Sequence, residues 1–288
     1  MSTTDLLFFV IFLLFFIIPS LRRRMIMLRR FRLIREIEKT RGSRVITLIH
    51  RQEALSLLGI PLIRYITVED SEKILRAIRF TPQTTPIDLI IHTPGGLVLA
   101  SEQIARALQR HKSYVNIIVP HYAMSGGTLI SLVANEILMD ENAVLGPVDP
   151  QLGNIGPATS LIKLPQIKPT EKMKDETLVL LDLAAKASVQ VKRLVLELLE
   201  NKGMDKQKSK RIAEYITTGR FTHDFPLSPE KLEAIGIKVN TQIPNQIYEL
   251  MDLYPQAPQS RPSVEYIPVP YTPEPQRKKD KGSSSDIM

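Results

Sequence analysis

From Arg44 onward, short apolar runs alternate along the chain with amphipathic ones. "VITLIH" (45–50), "IDLIIH" (87–92), "YVNIIVP" (114–120) and "EILMD" (136–140) are predicted as strands, each too apolar to face water on either side. Between them the spacing predicts helices: "SEKILRAIRF" (71–80) with Ser71 as its N-cap, "LVLASEQIARALQRH" (97–111) with Ile104, Ala107 and Leu108 on one face, and the small-residue "GTLISLVAN" (127–135). Buried strands alternating with helices indicate an α/β domain with helices covering the sheet. After the Gly- and Pro-rich loop "ENAVLGPVDPQLGNIGP" comes a long helical region, Thr170 to Asn201, then shorter ones at 205–217 and 228–235. From Leu253 the chain carries seven prolines and a Ser/Lys end without helical or strand period, the composition of a disordered tail or of an arm that docks on a partner. No internal repeat stands out.

Ahead of the domain lies "LLFFVIFLLFFII", Leu6 to Ile18. As a helix it spans about 20 Å, and extending it from Thr3 to Leu21 gives roughly 28 Å against a hydrocarbon core of about 30 Å. The pattern predicts a single, slightly short transmembrane anchor with Pro19 near its end. A cleaved signal peptide would have its positive charge in front, whereas here "SLRRR" follows and nothing basic precedes. These arginines place the following domain on the cytoplasmic side of a cell membrane and the N-terminus outside. The resulting division is an anchor at 1–21, a basic juxtamembrane linker or surface-lying helix at 22–43, a folded domain at 44–252 and a tail at 253–288.

Composition changes this picture in two places. The net charge of +8 resides entirely between Arg22 and Arg44, where nine arginines and one lysine face two glutamates, so a membrane-flanking segment explains it and no nucleic-acid partner is expected. The chain has no cysteine, which excludes disulfides, thiolate metal clusters and cysteine catalysis.

Candidate chemistry sits where two apolar runs end. "HTPGG" (92–96) and "PHYAMSGG" (120–127) each place a glycine pair just past a strand, and two bare backbones on neighbouring strands could aim two amide donors at one point, an oxyanion hole in outline. The second site adds Ser125 at the head of a helix, where the helix dipole favours developing negative charge. Taken alone, a serine before two glycines at a strand-to-helix turn is a tight turn with a capping serine. The pairing with "TPGG" one strand earlier is what points to a nucleophile.

"IHTPGGLVLASEQIARAL", "PHYAMSGGTLISLVANEILMDENAVLGPVDPQLG" and "TTGRFTHDFPLSPEKLEAIGIKV" closely resemble the serine dehydrogenase proteinase family. This is a membrane-associated branch of the superfamily that holds signal peptide peptidase A, the Clp protease subunit and the crotonases. The resemblance covers roughly Arg44 to Val239. It implies a Clp/crotonase-like fold, a spiral of ββα units, and serine peptidase chemistry on protein or peptide substrates. Ser125 matches the family nucleophile, and the amides of Gly95 or Gly96 and of Gly126 match its oxyanion hole. The word "dehydrogenase" implies no redox cofactor.

A serine hydroxyl needs a group to take its proton. The histidine and the acid of the Clp subunit do not carry over: "LGPVDPQ" lacks a histidine, and the place of the acid falls near Thr218 and Gly219. Relatives of the signal peptide peptidase A type use a lysine before a long helix. Lys163, Lys168, Lys172 and Lys174 lie there, and Lys168, between Ile167 and Pro169, has the most apolar neighbours; desolvation is what lowers a lysine pKa into the working range. Lys168 is therefore the expected general base of a Ser-Lys dyad. His121, four residues before Ser125, is an accessory candidate, and His223 beside Asp224 a more distant one. His50, His92 and His111 lack metal-ligand spacing, and neither a phosphate loop nor a dinucleotide fingerprint is present, so neither metal nor cofactor is expected. Apolar helices such as "LVLLDLAAKA" (178–187) predict burial between subunits of a homo-oligomer. Two alternatives stay open, a crotonase-like acyl-CoA binder and a catalytically silent oligomeric membrane scaffold.

Overall fold

The computed structural model describes residues 3–51, 65–153 and 155–254. The element order is α1 (Thr3–Phe12), a π-helical turn at Leu13–Ile17, α2 (Ile18–Arg41), β1 (Arg44–Ile49), α3 (Val68–Arg79), β2 (Ile87–His92) and α4 (Val98–Gln109). It continues with β3 (Val115–Val119), β4 (Tyr122–Ala123), α5 (Gly126–Ser131), β5 (Glu136–Met139), β6 (Val144–Leu145), α6 (Ala158–Leu161) and α7 (Leu164–Ile167). The last helices are α8 (Asp175–Asn201), α9 (Lys206–Thr217), α10 (Pro229–Ala234) and α11 (Asn245–Asp252).

Strands β1, β2, β3 and β5 form a parallel sheet in that order, and β4 and β6 a second, two-stranded parallel one. The chain thus steps from the main sheet into the small one after β3 and again after β5. The isolated bridges Thr93↔Ala123 and Ile66↔Gly96 extend this inner layer. Alternation along the main strands divides the core in two. Val45, Ile90, Ile118 and Leu138 face Ile37 of α2 and Ile247 and Leu250 of α11, whereas Ile46, Leu48, Leu89, Ile91, Ile117, Val119, Ile137 and Met139 face the larger core built with α3, α4, α5, α8 and α9. Helices on both faces explain why the strands read as continuous apolar runs.

The α/β class and the four main strands match expectation, with ends shifted by a residue or two. Three readings need correction. Ser71 does not cap α3: the helix begins one turn earlier on a Thr67–Asp70 capping box, and Ser71 is buried, donating to Val68 O and Gln103 Oε1. Residues 22–41 are no mere linker, since α2 ends by seating Ile37 under the sheet. The third concerns the expected anchor, because among the described residues no helix is long and apolar enough to cross a membrane. The apolar stretch runs as helix through the π turn into α2, which takes on Arg22, Arg23 and Arg24 in its second turn, so its apolar part falls short of a hydrocarbon core of about 30 Å. Leu253 and Tyr254, the first residues of the expected tail, are docked, with Arg30 donating to Leu253 O and lying 3.7 Å above the Tyr254 ring. The remainder of that tail, 255–288, lies outside the described residues.

Candidate active site

The carboxyl ends of β2 and β3 lead into the two glycine loops, and hydrogen bonds knit the loops together. Thr93 N–H donates to Tyr122 O and Met124 N–H to Thr93 O. This ladder brings Gly95 against Ser125: a Cβ built on Gly95 would lie 2.8 Å from Ser125 Cβ and 3.0 Å from Met124 O. The approach is open only to glycine, and Gly95 has φ 108° as well. Gly96 is pressed equally hard on its other side, where a Cβ would meet Ile66 N at 2.3 Å.

Ser125 has φ 48°, and among the described residues it is the one non-glycine residue with positive φ. Such a backbone costs on the order of 1–3 kcal/mol and persists only where the surroundings impose it. Ser125 stands at the N-cap position of α5, yet its side chain makes no capping hydrogen bond. The plain reading as a capping serine is thus not what the fold uses it for. Its half-buried hydroxyl has no hydrogen-bond partner among the described residues.

The donors around it separate clearly. Gly95 N–H is taken by Thr93 Oγ1 at 3.2 Å, and Gly95 O accepts Ile66 N–H at 2.7 Å. Gly126, the first residue of α5, has no carbonyl of its own helix to donate to. Among the described residues, Gly96 N–H and Gly126 N–H therefore have no acceptor and are the glycine donors that the paired loops leave free. A groove of about 550 Å³ starts at Val98, two residues past Gly96, and runs between α4 and α8 past Gln151, Leu152 and Leu194.

Lysines are not gathered here. Lys163, Lys168, Lys172 and Lys174 are all exposed, and Lys168 follows the short α7 with Ile167 80% exposed beside it. The apolar setting expected for Lys168 is absent from the single chain, because this segment projects from the core instead of packing on it. No hydrogen bond or ion pair joins Lys168 to Ser125 among the described residues.

The histidines fall into two groups. His121 is exposed and stacks on His92, with ring centroids 5.7 Å apart, and Tyr122 packs against both. His92 is buried; burial first, then the nearby Arg51, His121 and His50, push its pKa down to about 4, so it is neutral at physiological pH. Its Nδ1 has no partner. His223 pairs with Asp149 and not with its neighbour Asp224: Nδ1 lies 2.6 Å from Asp149 Oδ1, and Gln151 Nε2 donates to the other carboxylate oxygen at 2.7 Å. That hydrogen bond raises the imidazole pKa. The reading of the sequence passed over this couple and also Thr93. Among the described residues no cluster of three His, Asp or Glu side chains is arranged to hold a metal ion.

The family described as ClpP-like SDH-type serine proteinases matches residues 1–281. Uncharacterized protein MJ1495 of Methanocaldococcus jannaschii is 56% identical over 272 residues, 94% of this chain and 92% of that one. Uncharacterized protein MJ0137 of the same organism is 49% identical over 267 residues, 93% of each chain. Among solved structures, a mutant of the 1510-N membrane-bound stomatin-specific protease superposes with a TM-score of 0.45 at 23% identity, over 65% of this chain and 79% of that one. A mutant of ClpP1 from Listeria monocytogenes gives 0.46 at 15% identity, over 73% and 98%.

Proposed function

The chain belongs to the family of ClpP-like SDH-type serine proteinases, and from that membership we propose a peptidase that forms an acyl-enzyme at Ser125. The observation that carries this reading is the backbone of Ser125, held at φ 48° against Gly95 with its hydroxyl uncapped. Ser125 Oγ attacks the carbonyl carbon of the scissile peptide as its proton passes to a base. The resulting oxyanion accepts from Gly96 N–H and Gly126 N–H, and Gly95 N–H, already committed to Thr93, serves only to hold the loop. Collapse of the tetrahedral species expels the amine with a proton from the same base, and water then releases the acyl group by the reverse sequence.

Lys168 is proposed as that base, in an assembled state. A neutral amine needs cover that the single chain does not give it, and the segment from α6 into α8 exposes apolar side chains, Ile162, Ile167, Leu178, Val179 and Leu183. A second copy seated on α7 and the first half of α8 would cover Lys168 together with these side chains. This supports a homo-oligomer as the active form.

The test is reaction of the full chain with a fluorophosphonate probe, beside Ser125→Ala and Lys168→Ala. The wild type is expected to label, Ser125→Ala not at all, and Lys168→Ala about 10²–10⁴ times more slowly. Labelling that survives Ser125→Ala would remove the nucleophile, and an unchanged rate in Lys168→Ala would remove that lysine.

We also propose a location at the cytoplasmic face of the cell membrane, supported by the exposed Phe8, Phe9, Phe12 and Phe15 with arginines following on α2. Flotation of the full chain with anionic lipid vesicles, lost on deletion of residues 1–24, is the expected result. A chain that stays at the bottom of the gradient would refute it.

A further inference from the structure

Thr93 stands at the start of the first glycine loop and is fully buried, with buried His50 and Gly95 against its hydroxyl. Its Oγ1 lies 2.9 Å from His50 Nδ1, at the end of the neighbouring strand, and accepts Gly95 N–H at 3.2 Å. His50 is 6% exposed, and its other ring nitrogen lies 3.3 Å from Asp70 Oδ2. That carboxylate also accepts Thr67 N–H and Thr67 Oγ1–H, which pins it at the N-terminus of α3.

With a neutral imidazole, the Asp70 carboxylate takes the Nε2 proton and Nδ1 is left as an acceptor. Thr93 then gives its single hydroxyl proton to Nδ1 in preference to Gly95 O, which is farther away at 3.3 Å and already receives Ile66 N–H. With its proton committed to His50, the threonine oxygen presents its lone pairs to Gly95 N–H. A peptide unit is planar and trans, so its C=O and N–H point in opposite directions. Ile66 N–H on Gly95 O therefore fixes the direction of Gly96 N–H within the 95–96 peptide, and Thr93 on Gly95 N–H fixes the 94–95 peptide that carries it, so the two bonds together hold Gly95 from both sides.

We infer that His50 and Thr93 are positioning residues for the oxyanion donor: the line Asp70–His50–Thr93 anchors the amide of Gly95 from the far side of the loop and so holds Gly95 in the place from which the 95–96 peptide, tied through Gly95 O to Ile66 N–H, presents its donor. This rests on the peptidase reading above and adds to it. Neither residue reaches the substrate. Their effect is on how well the donor meets charge that develops only in the transition state, so it falls on kcat and on the rate of covalent labelling, with KM unchanged.

The experiment compares fluorophosphonate labelling and peptide hydrolysis in wild type, Thr93→Val, Thr93→Ser, His50→Phe and the Thr93→Val/His50→Phe double variant, with thermal melts to verify folding. Thr93→Val keeps the shape and removes the hydroxyl. It is expected to lower the labelling rate and kcat about tenfold to a hundredfold at constant KM, with Thr93→Ser restoring most of the rate. Because one line carries the effect, the double variant is expected to be no slower than the slower single one. Thr93→Val labelling at the wild-type rate would overturn the proposal while leaving the peptidase reading intact; so would a Thr93→Ser variant as slow as Thr93→Val, or multiplicative losses in the double variant. Wild-type protein that does not label would remove both.

Discussion

The two ends of the main sheet handle polar groups in opposite ways. At the amino ends of the strands, Asp88 is fully buried, and both of its oxygens are used by Arg41, Ser43 and Asn116. The bond to Asp88 raises the Arg41 pKa further, so the guanidinium stays charged. At the carboxyl ends, about 15–20 Å away along strands of this length, several polar groups beside the bonded Asp70–His50–Thr93 set are left open among the described residues: a serine with strained backbone and no bond to its hydroxyl, the buried Nδ1 of His92, and the amides of Gly96 and Gly126. One end locks the α2 helix to the sheet, and the other leaves amide donors and the proposed nucleophile without partners among the described residues. This division suits stability and reactivity in one fold, since a nucleophile must keep its proton available to a base and donors must stay open to developing charge, whereas a buried carboxylate without partners is a poor foundation.

Substitutions at each end should break the comparison in opposite senses. Asp88→Ala strands Arg41 and the side chains of Ser43 and Asn116, and is expected to cost about 3–5 kcal/mol in urea unfolding, with the labelling rate of the protein that remains folded unchanged. Ser125→Gly is expected to do the reverse, abolishing labelling and raising stability by about 1 kcal/mol through relief of the positive φ. Slower labelling in folded Asp88→Ala would show the two ends to be coupled, and a destabilised Ser125→Gly would mean that the backbone at 125 is not strained.

The end that carries the proposed site was also the more legible in the sequence, for a physical reason. Glycine pairs at the ends of apolar runs are local signals, and Gly95, Gly96, Ser125 and Gly126 could all be named from them. Strands buried on both faces gave equally plain runs. What went unread depends on register or on whether a segment packs. His50 and Thr93 meet only because Ile49 pairs with His92 across β1 and β2, and Asp149 meets His223 across 74 positions of chain. Strands of two residues such as β4 and β6 are too short to show an alternation. Ile167 beside Lys168 suggested burial, but an apolar neighbour in sequence does not say that the segment lies on the core, and here it does not. Ser71 misled because a good capping residue lay one turn inside a helix that Thr67 starts.

His223 and Asp149 combine the habits of both ends and give the smallest expected effect. The carboxylate is buried and fully bonded like Asp88, whereas the imidazole is 35% exposed. The bond to Asp149 raises the His223 pKa above its ordinary 6.5. A base whose folded-state pKa is raised binds its proton more tightly folded than unfolded. The stabilisation is therefore fully present below about pH 6.5 and is lost as pH rises through the folded-state value. Solvent at the exposed ring keeps it under about 1 kcal/mol, a few degrees at most in Tm. Melting curves of the wild type and His223→Gln, taken from acid to alkaline pH, should accordingly differ most on the acid side and converge on the alkaline side. A gap of constant size would mean that Gln151 and packing hold Asp149 and that the charge on the imidazole contributes nothing. A gap that widened toward alkaline pH would reverse the sign and place the proton on the wrong partner.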